Sequence, residues 1–449
     1  MKTPIVDFVN RYRSADVSRL HMPGHKGIPF LGCEPLDITE ICGADVLYSP
    51  DGIIEESEQN ASTLFDTAHS FYSAEGSSLS IKAMLALIAK TREDGQKPLI
   101  LAARNVHKAF VYACALLDLE VAWLMSKDSS HLCSCHVTGE DVKRALQTLP
   151  RRPSAVYLTS PDYLGQRLDV REIANICHQN QIPLLVDNAH GAYLHFLPTS
   201  EHPIALGADL CADSAHKTLP VLTGGAYLHV SRNADPRFCK DARRMLSLFA
   251  STSPSYLILQ SLDLCNRYLA EGYRDRLSAC VERLNLCRQR LAEHGIETLE
   301  GEPLKLVLDA GRIGYTGEEL ADYLRAQRIE AEFADRDFLV LMFTPETRKT
   351  DFERVEGAFS ALPHRARRAT EGQTIIKKQP ESVMSIREAI FAPHETVATG
   401  DAVGRICAAP TVSCPPAVPV AVSGERIDHE TATALQYYGI ETVEVVKNR

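Results

Sequence analysis

Apolar and polar positions follow two different rhythms along the middle of the chain. Helical spacing of apolar residues occurs in the stretches SLSIKAMLALIAKTRE, HKAFVYACALLDL and DVREIANICHQNQ. Short apolar runs, which favour buried strands, lie among them: KPLILAA, EVAWLM, SAVYLTS, IPLLVDNAH, ADLCADSAHK and GAYLHVS. Buried strands that alternate with amphipathic helices predict an α/β fold with a mostly parallel sheet that is covered on both faces.

The flanking segments have other patterns and divide the chain into four predicted parts. Residues 1–60 are irregular and rich in Pro, Gly and Asp, which predicts an N-terminal arm, and residues 61–285 carry the α/β pattern. A long helical stretch near 254–294 leads into a predicted small α+β domain at 286–370. A basic, polar stretch at 363–381 predicts a linker, and residues 371–449 predict a separate C-terminal domain.

Composition changes the picture by excluding several classes of function. The chain has 449 residues, of which 45% are hydrophobic and 24% charged, as in globular proteins of more than one domain. Its net charge of -10 argues against nucleic acid as a partner. No apolar run is long enough to span a membrane, and the charged N-terminus lacks the apolar core of a signal peptide. We therefore expect a cytoplasmic protein.

The thirteen cysteines do not form a metal-binding pattern. Cys133 and Cys135 form a C-x-C flanked by His131 and His136, which is at most half of a zinc site. A second Cys/His pair at finger-like spacing is missing from the sequence. We therefore predict no metal, and a polar loop with reduced thiols.

Polar side chains gather where the predicted strands end. Strand IPLLVDNAH ends with Asp187 and His190, and strand ADLCADSAHK ends with Ser214, His216 and Lys217. Because ligands bind at the carboxyl ends of parallel strands, we expect these side chains to face one crevice.

A third polar cluster lies at the start of a predicted helix. The stretch FYSAEGSSLS places Gly76, Ser77 and Ser78 there. Free backbone N–H groups, two hydroxyls and the positive end of the helix favour an anion such as phosphate. Serine is also common at helix starts for structural reasons alone, so this motif by itself leaves both interpretations open.

Lys217 and Asp187 also permit two interpretations. A buried carboxylate needs a partner, and Lys217 could be that partner in a salt bridge. In a cleft of low polarity, however, the pKa of a lysine falls, and its neutral amine can form a Schiff base with a carbonyl. A carboxylate that faces a pyridine nitrogen keeps the ring protonated as an electron sink. Together with a phosphate site, this describes a pocket for pyridoxal 5'-phosphate (PLP).

Three further side chains fit such a pocket. His107 directly follows strand KPLILAA, and is either a solvent-facing histidine at a helix start or a residue that stacks on the cofactor ring. Ser214 and His216 would help to hold the phosphate. His190 would lie near the carboxylate of the substrate.

Several motifs resemble those of the ornithine/lysine/arginine decarboxylase family: LHMPGHKG, RNVHKAF, VDNAHGAYLHF, DSAHKTLPVLTGGA and TSPSY. The segment AVGRICAAPTVSCPPAVPVAVSGERI is similar to the C-terminal domain of that family. The resemblance covers nearly the whole chain and matches the short form of the family. It implies a PLP-dependent transferase fold of the aspartate-aminotransferase type, with a PLP-binding major domain, a small α+β domain and a C-terminal decarboxylase-type domain. It also implies a homodimer or higher homo-oligomer with active sites at the interface.

The resemblance implies a role for each candidate residue. Lys217 would be the Schiff-base lysine, Asp187 the partner of the pyridinium nitrogen, and His107 the residue that stacks on the ring. The phosphate would be held by the group Gly76, Ser77, Ser78, Ser214 and His216. The run TSPSY, which contains Thr252, would come from the partner subunit, and HMPGHKG would pack near the substrate entrance.

These motifs predict a PLP-dependent decarboxylase that converts arginine, lysine or ornithine to the corresponding di- or polyamine precursor and CO2. Lys217 or His190 would return a proton to the product. One alternative is an aminotransferase or aldolase-type lyase on the same scaffold, which would need an arginine such as Arg387 for the substrate carboxylate. The other is a catalytically silent paralogue with a regulatory role. The presence of Lys217, Asp187 and His107 argues against that role.

Overall fold

The computed structural model describes residues 1–91, 96–126, 131–368, 380–412 and 418–447. Residues 369–379, which make up much of the predicted linker, and residues 413–417 of the tail lie outside the described residues. The chain forms two compact units. The first comprises Met1–Gln96, Ser154–Leu158 and Val170–Asp275, and the second comprises Lys97–Pro153, Thr159–Asp169 and Arg276–Arg449. The domain limits predicted from the sequence remain predictions.

The described α-helices vary from one turn to six. In chain order they are α1 (Pro4–Ser14), α2 (Ile53–Phe65), α3 (Gly76–Ala89), α4 (Lys108–Leu117), α5 (Gly139–Thr148), α6 (Val170–Gln179), α7 (Pro203–Leu206), α8 (Ala215–Thr218), α9 (Pro236–Phe249), α10 (Tyr256–Ala270), α11 (Tyr273–Glu293), α12 (Gly317–Ala326), α13 (Lys349–Ser360), α14 (Ile386–Phe391) and α15 (His429–Tyr437). Of these described helices, none is both long and apolar enough to cross a membrane.

The described strands are short. In chain order they are β1 (His69–Ser73), β2 (Leu99–Ala103), β3 (Glu120–Leu124), β4 (Ala155–Thr159), β5 (Leu184–Asp187), β6 (Leu210–Asp213), β7 (Ala226–Val230), β8 (Lys305–Asp309), β9 (Phe333–Ala334), β10 (Phe338–Met342), β11 (His394–Ala398), β12 (Thr411–Val412), β13 (Pro419–Ala421) and β14 (Thr442–Val446).

In the first unit the strands lie side by side in the order β1-β7-β6-β5-β4. Strands β5 and β6 are parallel, whereas β7 is antiparallel to both of its neighbours, β6 and β1. Every residue of β5, β6 and β7 is buried, which explains their continuous apolar sequences. Helix α3 packs against β6 and β7, so its first turn lies beside the strands that carry the candidate site.

The second unit contains strands β2 and β3 and, apart from them, several smaller sheets. Strands β2 and β3 are parallel, β8, β10 and β9 form an antiparallel sheet, and β11 pairs with β14 and β12 with β13. One core cluster consists of Cys133, Leu164, Val307, Phe333, Phe338 and Val340. A second cluster lies in the C-terminal part, around Cys407, Val420 and Leu435.

The structure differs from the sequence predictions at several element boundaries. The run ADLCADSAHK is not one strand, because β6 ends at Asp213 and Lys217 lies in the single turn of α8. The long helical stretch is interrupted between α10 and α11, where Gly272 has a φ of +74°. Residues 1–60 are not wholly irregular, because they contain α1 and the start of α2. The sequence pattern did not predict strand β1 or helix α5.

Candidate active site

The carboxyl ends of β5 and β6 bring four of the candidate residues together. Asp187 is the last residue of β5, and His190 follows after two residues. Strand β6 is followed by Ser214 and by α8, which carries Lys217. Because β5 and β6 are neighbouring parallel strands, their ends lie at the same edge of the sheet.

Lys217 and His190 contact each other directly. The Lys217 Nζ atom lies 3.0 Å from His190 Nε2, and His190 is buried while Lys217 is partly buried. At this distance an ammonium donates to a neutral imidazole, or an imidazolium donates to a neutral amine. The two side chains therefore hold one proton between a lysine nitrogen and a histidine nitrogen.

Asp187 is buried with few hydrogen-bond donors around it. It is 2% exposed, and its Oδ2 atom accepts a hydrogen bond of 3.3 Å from the Tyr157 hydroxyl. Its Oδ1 atom has no hydrogen-bond partner among the described residues. Burial raises the pKa of Asp187 to about 6, although the positive charge of Lys217 acts in the opposite direction. A buried carboxylate of this kind suits a ligand that brings a protonated nitrogen.

The predicted phosphate motif lies in the first turn of α3. The Ser214 hydroxyl donates to Ser77 Oγ at 2.7 Å, which ties the end of β6 to this turn. Gly76 has a φ of +73°, and the side chain of Glu75, at the N-cap, makes no capping hydrogen bond. The Gly76 N–H donates to the carbonyl of Gly224 at 2.7 Å. The N–H groups that follow it in this turn, which includes Ser78, are not capped by the Glu75 side chain and favour an anion.

Two other candidate cofactor-binding residues lie near the same turn. His216 donates from Nδ1 to the carbonyl of Gly225 at 2.9 Å. Thr252 is exposed, in a loop that is held to the residue before Gly76, because the Ser251 N–H donates to Glu75 Oε1 at 2.6 Å. The predicted contribution of this loop to a partner subunit stays a prediction.

His107 lies in the second unit, at the N-cap of α4. Its Nδ1 atom accepts a hydrogen bond of 3.1 Å from the Ala109 N–H, so Nε2 carries the hydrogen when the ring is neutral. Its predicted role in stacking on the cofactor ring stays a prediction.

Arg387, which the aminotransferase alternative would need, is already occupied by the backbone. Its Nη1 atom donates to the carbonyls of Ala115 and Leu116 at 2.8 and 3.2 Å. The guanidinium therefore holds a helix end in the second unit, and this candidate for a substrate-carboxylate ligand loses its support.

The C-x-C motif is a buried loop. His131 Nδ1 accepts from the Cys133 N–H at 3.1 Å, so its Nε2 carries the hydrogen and donates to Asp335 at 2.7 Å. Burial raises the pKa of the thiols of Cys133 and Cys135, which favours the neutral thiol. These contacts explain the motif as a structural loop.

Sequence reasoning missed three polar residues that surround the strand ends. Tyr157 donates to Asp187, and the Asn188 Nδ2 group donates to Asp213 Oδ1 at 2.7 Å. A tyrosine in the buried run SAVYLTS and an acid at the end of the apolar run LCAD both need hydrogen-bond partners. This need for hydrogen-bond partners could have identified the three residues from the sequence.

Residues 3–306 match the family described as "Orn/Lys/Arg decarboxylase, major domain". Residues 369–447 match "Orn/Lys/Arg decarboxylase, C-terminal domain". The chain belongs to the Orn/Lys/Arg decarboxylase family. The resemblance that the motifs indicated is thereby confirmed.

Individual relatives agree with this assignment. The chain is 30% identical over 465 residues to the uncharacterized protein YaaO of Bacillus subtilis (strain 168). The matched region covers 97% of this chain and 94% of YaaO. It is also 30% identical over 461 residues to an arginine decarboxylase of the same organism, and this match covers 96% of this chain and 92% of that protein. A solved constitutive lysine decarboxylase from E. coli superposes with a TM-score of 0.77 at 18% identity, over 99% of this chain and 82% of that one.

Membership of this family confirms the predicted enzyme class, an amino-acid decarboxylase of a PLP-dependent family that acts on basic amino acids. The structural likeness confirms the predicted fold class, an α/β fold of the PLP-dependent transferase type with a C-terminal domain.

Proposed function

We propose that this chain decarboxylates a basic amino acid, with arginine as the preferred substrate, and uses PLP held at Lys217 and Asp187. The observation that carries the proposal is a buried acid with one oxygen lacking a partner among the described residues, next to a lysine that contacts a histidine at 3.0 Å. Arginine is the first choice because curated relatives named arginine decarboxylase cover almost the whole chain.

The residues of the first unit fit PLP in chemistry and in charge. Asp187 Oδ1 can accept a hydrogen bond from a protonated pyridine nitrogen, and the ion pair would offset the cost of burying the acid. The first turn of α3, where the N-cap side chain makes no capping hydrogen bond, has Ser77 and Ser214 beside it and suits the phosphate. When bound, PLP supplies a ring that accepts the electron pair released as the bond to the substrate carboxylate breaks.

Lys217 and His190 have separate tasks in this proposal. Lys217 would hold the aldehyde group of the cofactor, and its amine could also exchange a proton at Nζ. His190 Nε2, 3.0 Å from Lys217 Nζ, can supply or receive that proton. The pair is thus the proposed source of the proton that returns to the α-carbon, and the buried surroundings limit the access of water.

We also propose a homodimer in which the N-terminal arm is covered by the partner. Six large apolar side chains within fifteen residues are exposed on the single chain, and Leu20 and Leu31 are 92% and 90% exposed. Apolar side chains concentrated in this way are typical of an interaction surface. We expect light scattering to give a dimer for the wild type and a monomer for L20E/L31E. A wild-type monomer would contradict the proposal.

A cytoplasmic location is the simplest proposal for such an enzyme. The described cysteines form no disulfide bond with one another. Unpaired, mostly buried thiols are usual in proteins of reducing compartments.

The activity is tested by measuring CO2 release from arginine, lysine and ornithine in the presence of PLP. We expect release by the wild type, highest with arginine, and none by K217A. The matched control is K240A, since Lys240 is an exposed lysine of the same unit and its loss should leave the rate unchanged. The proposal fails if wild-type protein that binds PLP releases no CO2 from any of the three amino acids.

A further inference from the structure

Asp213 is a buried acid that the proposed chemistry does not use. It is the last residue of β6 and directly precedes Ser214, which begins the turn that carries Lys217. Its side chain is 0% exposed. A carboxylate in such a place is costly unless several donors surround it.

Four side-chain donors surround the Asp213 carboxylate. Oδ1 accepts from Asn188 Nδ2 at 2.7 Å and from the Cys211 thiol at 3.3 Å. Oδ2 accepts from His202 Nε2 at 2.9 Å and from His229 Nε2 at 3.1 Å. Burial alone raises the pKa of Asp213, but the two histidines outweigh burial and the pKa falls below its ordinary value.

The two histidines act as donors to Asp213. His202 Nδ1 accepts from the Ile204 N–H at 3.3 Å, so its hydrogen is on Nε2, which faces Asp213. His229 Nδ1 lies 2.8 Å from the Ser70 hydroxyl, and Nε2 lies 3.1 Å from Asp213 Oδ2, so Nε2 carries a hydrogen because an ionised carboxylate can only accept.

Asn188 extends this network to the end of β5. It directly follows Asp187, and its backbone N–H donates to the carbonyl of Ala212 at 2.9 Å. Its side chain is confined on the other side, because a Cβ atom at Gly191 would lie 1.9 Å from Asn188 Oδ1. A chain of hydrogen bonds thus runs from Ser70 on β1 through His229 on β7 and Asp213 on β6 to Asn188.

We propose that Asp213 is a positioning residue, which holds the end of β5 with Asp187 against the turn that carries Lys217. The proposal rests on the proposed function, in which these two side chains bind opposite ends of one cofactor. Their separation must then suit a rigid ring, and a hydrogen bond between the residue after Asp187 and the residue before Ser214 fixes that separation. Asp213 itself touches neither cofactor nor substrate in this proposal.

The test variant is D213N, which keeps the shape and removes the charge. An amide at this position would turn an NH2 group either towards the two histidine N–H groups or towards Asn188 Nδ2, so it cannot satisfy all the donors. The matched control is D209N. Asp209 ties the amino ends of the same two strands, since its Oδ2 accepts from the Leu184 N–H at 2.8 Å and from His178 Nε2 at 3.0 Å.

Two measurements decide the role of Asp213. In cofactor-free protein, hydrogen exchange should speed up in residues 187–191 and 213–218 of D213N, and not in these segments of D209N. PLP affinity, followed by fluorescence, should fall by about tenfold or more in D213N and little in D209N. The inference is overturned if D213N keeps the wild-type exchange at these segments, or if both variants lose affinity equally.

A double variant gives the sharpest control. D213N/N188D exchanges the acid and the amide, so that the amide carbonyl at position 213 accepts from both histidines while its NH2 group donates to the acid at position 188. We expect this variant to regain most of the PLP affinity lost in D213N, and affinity no better than that of D213N alone counts against the inference. A wild type that binds no PLP defeats the proposed function instead, and the exchange measurement then still decides whether Asp213 holds the strand ends.

Discussion

Two buried aspartates end neighbouring strands of the same sheet, and their surroundings are opposite. Asp213, at the end of β6, has four side-chain donors around it, and its pKa lies below the ordinary value. At the end of β5, Asp187 has one oxygen with no hydrogen-bond partner among the described residues, and burial raises its pKa to about 6. The chain supplies donors to both oxygens of the first acid, whereas one oxygen of the second remains available to a ligand.

This difference separates structural acids from functional ones without any appeal to motif. A buried group that the protein fully satisfies contributes to stability, and one that remains unsatisfied reduces stability until a ligand binds. Asp213 and Asp187 should therefore respond to the same aspartate-to-asparagine substitution in opposite ways.

The largest expected effect on stability is that of D213N. The substitution leaves histidine N–H groups without the charge that they donate to, and we expect a loss of about 3–5 kcal/mol in the free energy of unfolding at neutral pH. Because the pKa of Asp213 is lowered in the folded state, its contribution is present above the ordinary carboxyl pKa and shrinks as the pH falls below about 4. Urea unfolding at several pH values measures both. An unchanged stability would remove the distinction between the two acids.

The next largest effect is on activity. D187N should lower the rate of CO2 release by about 10²–10³-fold, because an amide cannot stabilise a positive charge on the ring nitrogen as a carboxylate does. Y157F is the control, since it removes the hydroxyl that donates to Asp187 and keeps the acid. We expect a much smaller loss there. Near-normal turnover by D187N would mean that this acid is as structural as Asp213.

The sequence was a good guide to the strands that build this region and to the residues at their ends. Apolar runs such as IPLLVDNAH stop where polar residues begin, so Asp187 and His190 could be located at a strand end from the pattern alone. The pattern placed Lys217 in the strand itself. A helix of only four residues, which begins after Ser214, is too short to show a helical spacing of apolar residues.

The network around Asp213 could not be predicted in this way. Three of its four donors come from Asn188, His202 and His229, which lie 25, 11 and 16 residues away and meet only after β5, β6 and β7 pair. Strand β1 was missed for a related reason, since it pairs antiparallel with β7, which follows it by more than 150 residues. Helix α1 buries only Pro4, Ile5 and Val9, too few for a clear apolar pattern.

The free energy of unfolding of D187N tests the comparison of the two aspartates, because it should change in the opposite direction from that of D213N. A pKa of about 6 in place of the ordinary 3.8 means that the ionised acid opposes folding, by about 3 kcal/mol above pH 6. Cofactor-free D187N should therefore be more stable than the wild type by up to this amount above pH 6, with the gain vanishing below pH 4, where Asp187 is protonated in both states. Thermal unfolding across this range measures it. A destabilised D187N at pH 7 would show that Asp187, like Asp213, is satisfied within the chain.

The smallest expected effect is that of G76A, which tests whether Gly76 is part of the cofactor site. Its φ of +73° is unfavourable for other residues, but a Cβ atom there would meet nothing within 4 Å, so G76A should cost only about 1 kcal/mol of stability through the backbone. G357A is the control with the opposite sign, because Gly357 lies inside α13 with similar open space, and alanine there should add about 0.5–1 kcal/mol. If G76A instead weakens PLP binding tenfold while its stability falls no further, the open space above Gly76 is where the cofactor lies. In that case Gly76, like Asp187, is part of the ligand-binding site.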